Sequence, residues 1–297
     1  MNKIYVCVFL ILLVGVSFGQ DFDKVEIKTH KVTDSIYMLE GSGGNIGVCI
    51  GEDGVFLIDD QYAPLTEKIR SAIAKLTDQP IKFLINTHWH FDHVGGNEKI
   101  GEAGAVIVAH ENVRKRMSTE QVVKAFNRTV PPSPKVALPV ITFTRDLKFH
   151  FNGEEIHVTH AAQAHTDGDA IIYFKNANVV HTGDLYFNGM YPFIDAGSAG
   201  SVDGIIAATD QLHKLINKQT KIIPGHGPLS DAAAFQSYSA MLKKIRDRVK
   251  EHITAGRSLE ETMAMKPSED FDTKWGQGFM SPEQFLSIVY QTLAQKK

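Results

Sequence analysis

Apolar positions along the 297-residue chain fall into two rhythms. Short runs that alternate or crowd together between turn residues predict strands over residues 24–29, 35–39, 47–51 and 54–58, with Thr33-Asp34, Gly41 to Gly44 and Glu52-Asp53-Gly54 as the turns. Residues 81–85, 155–159, 170–174, 179–182 and 221–223 read the same way. A period near 3.6 predicts helices instead over 66–76, 203–215 and 231–253; in the first, Ile69, Ile73 and Leu76 share a face and Pro80 stops the run. Ser258-x-x-Glu261 has the form of a capping box, and Ser281-Pro282 that of an N-cap followed by proline. Strands and helices therefore alternate along the chain. The one unusual connector, VPPSPKVALP at 130–139, is flanked by the same alternation on both sides, which predicts an insertion or lid within one domain rather than a linker.

The first nineteen residues break the pattern. A basic start at Lys3, an apolar run from Ile4 to Val16 and small residues at Ser17 and Gly19 match a secretory signal cleaved before Gln20. The run is short for a bilayer span, which needs roughly 20 residues, and Cys7 is misplaced for a lipid-modified cleavage site. Export to the periplasm or secretion is the expectation, with residues 20–297 as the mature domain and no membrane attachment after cleavage. Cys49 is then the one cysteine left, so the mature chain has no intramolecular disulfide.

Charge narrows the partners. With 31 Lys+Arg against 34 Asp+Glu the formal net charge is −3, without the basic footprint of a nucleic-acid binder. A small-molecule substrate is the expected partner; the sequence leaves the oligomeric state open.

The chemistry concentrates in NTHWHFDHVGGN at 86–97, just after the predicted strand 81–85, where α/β folds place their sites. Histidines two apart on an extended segment point the same way, so His88 and His90 can share one metal ion, whereas the adjacent Asp92 and His93 diverge and suit a second ion beside it. Vicinal metals about 3.5–4 Å apart clamp and activate a single water. Further donors must come from elsewhere. Of the thirteen histidines, His165 in AQAHTDGD and His226 in IIPGHGPL lie in turns beside predicted strands, the latter between glycines that let backbone approach a metal. Asp184 follows the strand 179–182 in HTGDLYF. Two Zn²⁺ ions bring four positive charges; Asp92, a hydroxide and a second carboxylate leave one, which makes Asp184 the natural bridge. His181 either orients a ligand through a hydrogen bond or is structural. His30, His110, His150, His157, His160, His213 and His252 are read as surface or structural residues. Trp89, Phe91 and LYFNGMYPF after Asp184 predict an apolar mouth, with core packing as the competing reading.

HWHFDHVGG, AQAHTDGD, HTGDLYF and IIPGHG, in that order over about residues 25–229, resemble the ligand motifs of the metallo-β-lactamase superfamily. The resemblance implies an α/β fold, a four-layer αββα sandwich of two mixed β-sheets flanked by helices, with C-terminal helices from about residue 231. It implies that His88, His90 and His165 hold one zinc, that Asp92, His93 and His226 hold the other, and that Asp184 bridges them; Asp59 matches a position that commonly supports such ligands. The implied activity is hydrolysis of an acyl bond, a β-lactam amide, lactone ester or thioester, by a metal-bridged hydroxide that Asp92 orients as the catalytic residue. Zinc β-lactamases usually carry cysteine or serine where Asp184 stands, so the ligand set looks more like that of glyoxalase II and lactonases. His90 stands where the redox members carry glutamate. The alternatives are a non-catalytic exported zinc-binding protein or a redox member of the same fold.

Overall fold

The computed structural model describes residues 21–123, 125 and 127–294; the predicted export segment lies outside them. Strands β1 (Lys28–Lys31), β2 (Ile36–Glu40), β3 (Ile46–Gly51), β4 (Gly54–Ile58), β5 (Ile81–Ile85) and β6 (Val106–His110) are followed by a separate hairpin, β7 (Gln121–Val123) and β8 (Arg128–Val130), and then by β9 (Ile141–Phe143). The first six and β9 form one seven-stranded sheet in that order, antiparallel from β1 to β4 and parallel from β4 to β9. Strands β10 (Asp146–Phe151), β11 (Glu154–Ala161), β12 (Asp169–Phe174), β13 (Val179–His181), β14 (Lys221–Ile223) and β15 (Ser230–Asp231) form a six-stranded sheet, mixed because β13 and β14 run parallel.

Period-2 alternation decides which face each side chain serves. Phe56 and Ile58 of β4 join Ile156, Val158, Ile172 and Phe174 of the other sheet in one buried cluster between the sheets. There Phe56 meets Phe149 and Phe174 edge to face, at 5.0 and 6.2 Å between ring centroids, an arrangement that adds to area burial. The alternate residues, Val55 and Leu57, face outward onto Ile69 and Ile73 of α1 (Thr66–Ala74). Beyond it lie α2 (Phe91–Val94), α3 (Asn97–Glu102) and α4 (Glu111–Met117). The outer face of the second sheet, with Ile171, Val180 and Ile222, is covered by α5 (Val202–His213), α6 (Ala232–Thr254), α8 (Glu269–Trp275) and α9 (Pro282–Ala294), with α7 (Leu259–Ala264) packing on α6 and α9. The result is an αββα sandwich.

Local signals hold at the helix ends. Asp231 caps α6 by accepting the Ala234 N–H at 2.8 Å, and Ser258 with Glu261 forms the capping box of α7. The first strand is shorter than its pattern predicts and starts at Lys28. Upstream of it the Lys68 ammonium donates to the carbonyls of Phe22, Asp23 and Val25, so these backbone acceptors are satisfied by a side chain instead of a neighbouring strand. The proline-rich segment leads from the end of β8 to β9, and its Ala137 carbonyl accepts from Asn97 at 2.9 Å. Among the described residues no helix is long and apolar enough to cross a membrane.

Candidate metal centre

Four strand ends deliver the donors. After β5, His88 and then His90, which precedes the first turn of α2 in extended conformation, lead into Asp92 and His93 on that turn. Asp184 sits in the tight turn after β13, His226 in the loop after β14, and His165 in the turn between β11 and β12. The structure brings all seven together in two groups, His88, His90, His165 and Asp184, and Asp92, His93 and His226, the donor atoms within each lying within 4.8 Å of one another.

His90 Nδ1 lies 3.1 Å from His88 Nε2 and 2.9 Å from His165 Nε2, so three imidazole nitrogens converge on one point. Behind them, the opposite nitrogens are each held: His88 Nδ1 by Thr87 Oγ1 at 3.0 Å, His90 Nε2 by Asp195 Oδ2 at 3.0 Å, His165 Nδ1 by the Phe193 carbonyl at 2.8 Å, and His93 Nδ1 by Asp59 Oδ2 at 2.8 Å. Partners of this kind fix ring orientation and turn the free lone pair inward, as metal-binding histidines require. Burial pushes the His88 pKa well below the usual imidazole range and that of His165 down to about 4, so both rings are neutral donors at pH 7.

Asp184 lies between the two groups. Its Oδ1 is 3.1 Å from His93 Nε2 and 3.3 Å from His226 Nε2, and its Oδ2 is 3.5 Å from His165 Nε2 and 3.8 Å from His88 Nε2. Although buried, Oδ1 has no hydrogen-bond partner. An orphaned buried carboxylate oxygen is costly unless something else satisfies it, and a divalent cation fits a place surrounded by imidazole nitrogens and acidic oxygens. Burial alone would raise its pKa, but the imidazoles of His226 and His93, whose own pKa values the carboxylate raises in turn, lead the groups that outweigh this and hold it well below the ordinary carboxylate value. Two close glycines make room: a Cβ on Gly44 would lie 2.0 Å from His93 Cε1, and one on Gly225 would lie 2.2 Å from Asp184 Oδ1.

Asp59 is wholly buried with φ of 60° and accepts from Thr87 N–H and Thr87 Oγ1, both at 2.7 Å, besides its contact to His93. His181 instead bonds the Asn45 carbonyl at 3.1 Å and accepts the Gly183 N–H at 3.1 Å, so it shapes the turn that carries Asp184 and is structural. Among the described residues no other histidine joins either group; His110 stacks on His160, and His30 meets Glu40. Sequence reasoning missed Asp195, whose IDAG turn carries no distinguishing signal. The predicted aromatic mouth divides: Trp89 is buried, donating to Ser198 Oγ at 3.2 Å within the helix-side core, as are Tyr186, Tyr191 and Phe187, the last also stacking on the His226 ring at 4.9 Å, whereas Phe91 is half-buried.

Imidazoles aimed from behind and gathered about an unsatisfied carboxylate on an αββα frame are the equipment of a metal-dependent hydrolase. The family model of the metallo-beta-lactamase superfamily matches residues 39–246, and the chain belongs to that superfamily. It is 24% identical to a probable metallo-hydrolase of Bacillus subtilis, over 65% of this chain and 93% of that one, and 26% identical to a hydroxyacylglutathione hydrolase of Pelagibacter ubique, over 60% and 68%. Among solved structures, a metallo-beta-lactamase from Pontibacter korlensis matches 73% of this chain and 99% of its own, with TM-score 0.61 and 20% identity. The sec-alkylsulfatase Pisa1 from Pseudomonas sp. matches 89% of this chain with TM-score 0.69 and 16% identity; the chain spans 50% of that enzyme's length. At these identities the structural likeness is one of fold.

Proposed function

We propose that this protein is an exported dinuclear zinc hydrolase that cleaves an acyl bond of a small molecule: a thioester, a lactone ester or a β-lactam amide. One observation carries the reading: each oxygen of Asp184 faces two imidazoles of a different metal group, which is how a bridging carboxylate between two ions is placed. His88, His90 and His165 would hold one ion, and Asp92, His93 and His226 the other. Bound there, zinc supplies Lewis acidity toward a carbonyl oxygen and water whose pKa is lowered to about 7.

The chain's own residues do the rest. Asp92 keeps 17% of its side chain exposed, and its Oδ2 lies 3.7 and 3.5 Å from His93 Nε2 and His226 Nε2, so a carboxylate oxygen stands at the open side of the centre to accept a proton from the attacking water. Asp59 and Asp195 hold the His93 and His90 rings in place through the reaction. Among the acyl classes the thioester is favoured by the hydroxyacylglutathione hydrolase relative. Export rests on the signal pattern in the first nineteen residues.

Turnover of a thioester, a lactone and a chromogenic β-lactam, before and after chelation and with zinc restored, tests the reading. Metal-dependent hydrolysis of at least one is expected; a fully metal-loaded protein inert toward all three would end it.

A further inference from the structure

We propose that Arg128 determines substrate specificity by pairing its guanidinium with a carboxylate on the acyl compound, an inference that rests on the hydrolase reading above. The β7–β8 hairpin leaves the chain between β6 and β9 of the first sheet and carries Arg128 at the start of β8. Its Cζ lies 3.6 Å from the centroid of the Phe91 ring, and Phe91 immediately precedes Asp92. Across from it, Tyr62 packs 5.8 Å from the same ring and lies within electrostatic reach of Arg128, Asp92 and Asp184 alike. Phe22, Tyr62, Phe91 and Arg128 wall a cavity of about 400 Å³, the size of a small-ligand site.

The arginine is presented rather than used. Among the described residues no carboxylate or carbonyl pairs with it. Arg116, the other arginine near this motif, shows the contrast: its guanidinium is occupied by both oxygens of Asp167, at 2.7 and 2.8 Å, and by Gln121. Stacking a guanidinium on an aromatic ring fixes its plane and leaves its N–H edge to face an incoming group, a geometry that matches a carboxylate bidentately. The remaining cavity wall is aromatic and apolar, with Phe22, Tyr62 and Phe91 beside Ala63 and Pro64, so a ligand here would join one anionic end to a short apolar stem.

Two chromogenic esters of equal length, p-nitrophenyl hemisuccinate and p-nitrophenyl pentanoate, differ in that only the first ends in a carboxylate. Wild-type protein should prefer the hemisuccinate in kcat/KM, and Arg128→Gln should lower the ratio of the two kcat/KM values about tenfold, mainly through the KM for the hemisuccinate, with partial rescue in Arg128→Lys. Succinate binding to the metal-loaded protein, measured by calorimetry, reads the same residue without turnover and should weaken by a similar factor in Arg128→Gln. An unchanged ester ratio together with equal succinate binding in both proteins overturns the proposal and leaves the hydrolase reading intact. Succinate binding lost with Arg128 in a protein that cleaves neither ester and none of the three acyl classes would retain the anion site and end the hydrolase reading.

Discussion

Asp59 Oδ2 meets His93 Nδ1 at 2.8 Å with both side chains fully closed to solvent. The same carboxylate takes two hydrogen bonds from Thr87, so one residue at the end of β4 ties together the end of β5 and the helical turn that carries a metal donor. It does so from the left-handed backbone region, φ 60°, which non-glycine residues rarely adopt and which aspartate tolerates better than most. Asp59→Asn should weaken metal affinity about 10–100-fold, the usual loss when a partner behind a ligand is changed. Competition with a chromogenic chelator measures it; unaltered affinity would show that His93 is positioned without Asp59.

Asp92→Asn keeps one oxygen for coordination and removes the charge and the proton acceptor. kcat on the active acyl substrate should fall on the order of 10²–10⁴. Metal analysis alongside decides the cause: full activity with both ions in place would leave Asp92 a structural ligand only.

Gly225→Ala would put a methyl 2.2 Å from Asp184 Oδ1 and crowd the Gly183 backbone at 2.6 Å. Because the carboxylate must move, metal content by elemental analysis should drop below that of the wild type while circular dichroism stays native. Undiminished occupancy would mean that the loop relaxes and Asp184 is not confined by it.

Trp89→Ala removes a buried indole from the core beneath α5 and α6, and should cost about 3–5 kcal/mol in denaturant unfolding. Unchanged stability with a raised KM would instead return Trp89 to the substrate mouth.

Cys49 offers a chemical probe of the inter-sheet core. Burial pushes its thiol pKa up to about 11, with the nearby Asn152 contact opposing and Glu154 adding to the shift. Since the thiolate is the reactive form, only about a thousandth of it is available at pH 8. Ellman's reagent should therefore react slowly with native protein and rapidly once it is unfolded in urea. Prompt native reaction would show that the sheets separate readily there.

Much of this molecule is written locally. The spacing of His88, His90, Asp92 and His93 lies within six residues, where covalent geometry alone keeps donors close, and the turns holding His165, Asp184 and His226 announce themselves by glycine and aspartate beside apolar strands. Period-2 and period-3.6 patterns likewise outline the layers, because burial of one face is what makes each element stable. Strands β6 to β10 and β15 were not legible: β6 is a short apolar run that reads equally as helix, β7, β8, β9 and β15 are two or three residues long, and β10 is an edge strand whose alternate residues stay exposed. Decisions between chemically equal residues belonged to the tertiary structure. Trp89 turns into the core and Phe91 toward the site because Ser198 and the α2 turn lie where they do; Arg116 is neutralised by Asp167 while Arg128 is left facing a cavity; Asp195 reaches His90 from a turn 105 residues away. None of these pairings has a sequence period, since each depends on which elements the packed sheets bring side by side.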